Sequence, residues 1–70
     1  MTNNEIGIII EEMMDNLIYM YEKDKTLSDK DLDTLLIFIN AFNTKCKRRD
    51  INLGIKEEYT NYIKERMPYL

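Results

Sequence analysis

Residues 4–24 read NEIGIIIEEMMDNLIYMYEKD, and the placement of their apolar side chains decides the fold class. At about 100° per residue along a helix, Ile6, Ile9, Ile10, Met13, Met14, Leu17, Ile18, Met20 and Tyr21 fall on one side. Glu11, Glu12, Asp15 and Glu22 fall on the other. A surface helix needs an apolar stripe of roughly 100°, and this one spans about 180°. One neighbouring helix does not cover that much surface. It must be buried within the chain, in a second copy or in a partner. Thr2 and Glu5 have the spacing of a capping box, which marks the helix start. Gly7 costs up to about 1 kcal/mol relative to alanine, so this end is expected to fray.

Working outward, Glu22-Lys23-Asp24-Lys25 is a polar break, and Ser28 caps a second helix that opens with Asp29 and Asp31 at the positive end of its dipole. Its apolar face (Leu32, Leu35, Leu36, Phe38, Ile39, Phe42 and Cys46) is about 160° wide, and Ile37 and Ala41 lie outside it. Lys45, Lys47, Arg48 and Arg49 complete the negative end of the dipole. The short link at Lys25–Leu27 implies an antiparallel hairpin. A third helix, capped by Asp50 or Asn52, carries one stripe of Ile55, Tyr59, Tyr62, Ile63 and Met67 before Pro68 stops it. Ile51–Ile55 alternates briefly as a strand would, but Gly54 and the helical period that follows argue against one.

Seventy residues make one domain. A chain of that size buries only about 60% of the surface its unfolded form exposes. Ordering it costs on the order of 100 kcal/mol, so a monomer is marginal. Cys46 is the only cysteine and histidine is absent, which excludes an internal disulfide and a structural zinc site. Oligomerisation or efficient helix packing remains. The single free thiol suits a reducing, cytoplasmic setting. No positive leader region and no apolar run near the roughly 20 residues of a membrane span is present. Ten Ile, seven Asn and seven Lys against one Ala and no Val suggest an AT-rich genome, such as a low-GC bacterium or its phage.

Charge is uneven. Residues 1–35 carry nine acids and three bases, a net −6, and residues 36–70 carry four acids and seven bases, a net +3. An antiparallel hairpin would set Glu5, Glu11 and Glu12 beside Lys45–Arg49, a complementarity that favours it, though exposed pairs contribute only about 0–1 kcal/mol each. Asp29, Asp31 and Asp33 have the spacing that opens a calcium loop. Thr34 and Asn40 stand where that loop needs Gly and Glu, and within a helix the three carboxylates do not converge. Catalysis finds little to use: there is no histidine, Ser28 is a cap, and Cys46 lies on an apolar face away from Lys45 and Lys47.

The stretch Ile10–Asn40, with its turn TLSDKDLDTL at Thr26–Leu35, resembles the small bacterial sporulation phosphatases that act on response-regulator aspartates. Those proteins are also short antiparallel helical hairpins. Their Ser-Gln-Glu-Leu-Asp signature falls on Leu36-Ile37-Phe38-Ile39-Asn40, which has none of its four polar residues. The resemblance implies a hairpin and no phosphatase chemistry.

The chain thus reads as a single all-α domain over residues 1–70, an antiparallel helical hairpin plus a third shorter helix. This three-helix bundle is expected to dimerise. Met13, Met14 and Met20 supply flexible apolar surface, and five tyrosines add amphipathic area. The expected function is that of a non-enzymatic protein-binding regulator or inhibitor, phage- or mobile-element-encoded, that docks on a larger protein and occludes it. It needs no cofactor, no metal and no membrane. The expected contacts are Ile8, Tyr19 and Ile37, which lie off the main apolar faces, with Met14 and Ile18 at the edge of the core. One alternative is a nucleic-acid-binding regulator using Lys45, Lys47, Arg48 and Arg49. Another is a structural subunit of a larger assembly.

Overall fold

The computed structural model describes residues Met1–Leu70 as three helices and no strand: α1 (Asn3–Glu22), α2 (Asp29–Arg48) and α3 (Glu57–Arg66). The helices pack as a bundle around eight buried apolar side chains: Ile10 and Met14 of α1, Leu32, Leu36 and Ile39 of α2, Ile63 of α3, and Leu53 and Met67 outside the helices. No helix is long and apolar enough to cross a membrane.

Local chemistry sets the helix ends. The Thr2 hydroxyl accepts from the Glu5 amide at 3.2 Å, and the Glu5 carboxylate accepts from the Thr2 amide at 3.1 Å. Both halves of the capping box are therefore made. Ser28 accepts from the Asp31 amide at 3.2 Å and starts α2. At the other end of α2, Asp50 takes a left-handed φ of 60°. The Ile51 amide reaches back to the Cys46 carbonyl at 2.9 Å, and the Asp50 amide to that of Lys47 at 3.0 Å. This is a Schellman motif, and the short polar side chain of aspartate tolerates the left-handed position.

Neither Asp50 nor Asn52 caps α3, contrary to the sequence expectation. Asp50 terminates α2, and the Asn52 side chain accepts from the Gly54 amide at 2.9 Å to fold a local turn. Helix α3 begins later, at Glu57, behind Lys56, which offers no side-chain cap. Residues 51–56 run as an irregular link in which Ile51, Leu53 and Ile55 are turned toward the core while Asn52, Gly54 and Lys56 are exposed. The strand-like alternation of this stretch therefore reports alternating burial along an irregular link that turns between Asn52 and Gly54, where Gly54 takes a left-handed φ of 69°, and not a strand.

That link explains Gly7. A Cβ at position 7 would fall on the Leu53 carbonyl oxygen, so only glycine lets the link cross α1 at this height. Gly7 is buried, and the helix start it was expected to loosen is pinned under the link. The Lys56 amide adds a bond to Glu11 Oε2 at 2.9 Å. Tyr59 donates to Asp15 Oδ2 at 3.2 Å, which ties α3 to α1.

Arg66, at the end of α3, ties the three helices together. Its Nε donates to Asp33 Oδ1 at 2.5 Å and its Nη2 to Asp29 Oδ1 at 3.4 Å, and its guanidinium sits 4.6 Å from the Tyr21 ring centroid. Tyr21 also donates to Asp29. Asp29 and Asp33 are four residues apart and share a helix face, which gives two of the three aspartates in that run a structural role. The Tyr21 hydroxyl, followed by Arg66, holds the Asp29 carboxyl below its ordinary value of 3.8. Burial raises the Tyr62 phenol above its ordinary 10.0.

Two outcomes are expected. Replacing Gly7 by Ala improves helix propensity yet forces the link off α1, so chemical unfolding should show a net loss of about 1–3 kcal/mol; a stabilised variant would contradict the close approach. Because Asp29 binds its proton less readily folded than unfolded, its contribution is present above pH 3.8 and is lost as pH falls through the lower folded value. The Asp29→Asn protein should therefore show a shallower loss of melting temperature between pH 5 and pH 2 than the parent. Parallel curves would count against it.

Candidate functional site

The breadth of the two apolar faces has a direct structural outcome. Helix α3 and the link cover one flank of α1 and α2, where Leu53, Ile63 and Met67 close the core. On the other flank, large apolar side chains stay exposed: Ile9, Met13 and Met20 from α1, and Leu35, Phe38 and Phe42 from α2. Relative to buried Ile10, the first three project about 60–100° to one side of α1. They belong to the same wide face as the core residues, on the edge that nothing covers.

These side chains form a shaped surface. Ile9, Met13, Phe38 and Phe42 line a wholly apolar recess of about 200 Å³ whose floor is Ile6, Ile10 and Ile39. Phe38 is 72% exposed and stands over it. An adjoining recess of about 290 Å³ is lined by Ile6, Phe42, Cys46, Ile51 and Leu53, with Lys45 and Arg49 at its edge. The half-buried Cys46 packs against the core. What the arrangement offers is desolvation: an apolar partner placed here would strip water from two phenylalanines and a methionine at once.

The residues singled out from the sequence are distributed differently. Ile8 and Tyr19 are exposed, at 53% and 56%, on the side of α1 turned away from the core. Ile37 is exposed on α2, and none of these three lines the apolar recess. Ile18 is half-buried. Met14, expected at the edge of the core face, is instead at its centre with 1% exposure. It points between Gly7 and Leu17 on the line of Ile10, so it has no surface to offer a partner.

The basic end of α2 divides. Lys45, Arg48 and Arg49 line one shallow recess with Asn40, Ala41 and Thr44, whereas Lys47 lies with Asp50, Ile51 and Asn52. Both ion pairs of the molecule belong to Arg66. The expected pairing of these cations with Glu5, Glu11 and Glu12 is therefore not made: Glu5 closes the capping box and Glu11 receives the Lys56 amide.

No protein-family model, curated protein or solved structure matches this chain. The site must be read from its own chemistry. Sequence reasoning missed Ile9, Phe38 and Phe42 as candidates because they carry the same helical period as the core. The signal that could have found them was the width of the two faces set against a third helix of only ten residues.

Proposed function

We propose that this protein acts by binding protein surfaces rather than by catalysis, as a small regulator or inhibitor that occludes what it binds. The observation that supports this reading is the exposed apolar flank of α1 and α2, with Phe38 and Phe42 over a ready-made recess. Exposed aromatic anchors around an apolar pocket are the features that concentrate binding energy at interfaces. An apolar patch of this kind is uncommon on an isolated monomer unless it has a task. The two long helices run antiparallel in this proposal. The Tyr21–Asp29 bond at one end and the meeting of Ile6 with Phe42 and Cys46 near the other support that arrangement. Self-association as a homodimer is part of it. Ile8, Tyr19 and Ile37, with Ile18 at the margin, form a second, outward set of contacts available to a larger partner. The lone thiol suits work in a reducing, cytoplasmic compartment, and the AT-rich composition suits a phage or mobile element.

A second reading rests on the unpaired cations. Lys45, Arg48 and Arg49 share one recess without a carboxylate partner, an arrangement that can neutralise phosphates. It has less support, because the sequence pI is about 4.8 and Lys47 is set apart.

Charging the flank separates the two readings. Phe38→Glu and the paired change Ile8→Glu with Tyr19→Glu should between them abolish capture of the chain's protein partner from a lysate of its own host while leaving the helical circular-dichroism signal unchanged; capture undiminished by both would remove the docking reading. The triple change of Lys45, Arg48 and Arg49 to Glu should leave protein capture intact. A salt-sensitive retention on nucleic acid that this triple change eliminates would instead favour the phosphate reading.

A further inference from the structure

We infer that the occupant of the exposed α1–α2 face is a second copy of this chain, the two copies stacking face to face so that four long helices share one core. This rests on the docking reading above and names its partner. Three observations carry it.

The first is the charge pattern around the face. Projected at about 100° per residue, Glu5 and Lys23 lie just beyond Ile9 at the two ends of the α1 side, with Glu12 further round between them, and Asp31 and Arg49 lie in line with Phe38 and Phe42 at the two ends of the α2 side, with Lys45 beside Arg49. Ile6 lies with Phe42 and Cys46, Met13 with Phe38, and Tyr21 with Asp29. Glu5 is thus level with the Arg49 end and Lys23 with the Asp31 end. The four corners alternate in sign around the apolar rectangle. Such a pattern complements itself under a two-fold rotation about either in-plane axis: turned about the long axis, Glu5 meets Arg49 of the other copy and Lys23 meets Asp31. Turned about the short axis, Glu5 meets Lys23 and Arg49 meets Asp31. A partner edged by one sign of charge would face repulsion at two corners in any pose. Isologous contact between identical patches is also the commonest symmetry among oligomers.

The second observation is area. The six exposed flank side chains retain between 37% and 72% of their surface, and at ~200 Å² per large side chain they offer roughly 550 Å². A stable interface takes about 800 Å² from each partner, and the charged edges supply the difference. The third is the thinness of the monomer core: ten of seventy residues are buried, so a shared core adds the apolar burial that a chain this short lacks.

Light scattering behind gel filtration, over a hundredfold range of concentration, tests the inference. The wild type should show twice the chain's 8.4 kDa, and Phe38→Glu should shift the mass to a single chain at unchanged helicity. Ile9→Lys serves as a second disrupting variant should the first lose helicity, and Ile8→Glu, on the far side of α1, should leave the dimer intact. Arg49→Glu should weaken the dimer about threefold to fivefold at low salt. A wild type that keeps single-chain mass at every concentration overturns self-association, and so does a dimer indifferent to both Phe38→Glu and Ile9→Lys. In either case the capture experiment still decides whether the face binds another protein, so the two ideas fail separately.

Discussion

The rest of the structure depends on a mismatch of coverage. Two twenty-residue helices carry apolar faces about 180° and 160° wide, and a ten-residue helix with an irregular link is all that packs against them. Burial of apolar area is the dominant favourable term in folding, so the chain places its best packing where the third element can reach. Met14, Leu32, Leu36 and Met67 are almost wholly enclosed there. The same geometry leaves the opposite flank in water. The thin core of the single chain and the open apolar face both follow from the same shortage of covering helix.

The covered side is held by two devices that fix where α3 lies. At one end, the link crosses α1 at Gly7, close enough that any side chain at that position would meet the Leu53 carbonyl. At the other, Arg66 reaches Asp29 and Asp33 of α2 and stacks on Tyr21 of α1. Between them, α3 cannot slide to the exposed flank without breaking the polar cluster and lifting the link. The positions of the covering elements therefore decide which side of the α1–α2 pair stays open, and the open side carries Phe38 and Phe42.

Much of this was legible in the sequence, for identifiable reasons. Capping chemistry is local, so Thr2, Glu5 and Ser28 announced the starts of α1 and α2, and helical periodicity gave three helices without strands. The start of α3 was misplaced because Asp50 and Asn52 are capping residue types that here serve a helix C-terminus and an Asx turn. Gly7 looked like a defect because its purpose lies 46 positions away, at Leu53. The candidate contacts were the least legible part. Periodicity separates polar from apolar faces, but it cannot tell which edge of a wide apolar face a third helix will cover. Met14 and Met13 are neighbours on that face. One is the centre of the core and the other lines an open recess.

The central claim is that the uncovered edge of the α1–α2 pair is the meeting surface of two chains. Isotope-filtered nuclear Overhauser spectroscopy on an equimolar mixture of labelled and unlabelled protein reads this directly, because it records only proton contacts between different copies. The account predicts intermolecular contacts from the Phe38 and Phe42 rings to flank methyl groups among Ile9, Met13, Met20 and Leu35, and none from Ile8 or Ile63. Intermolecular contacts confined to Ile8 and Tyr19, or a spectrum with none at millimolar concentration, would contradict it.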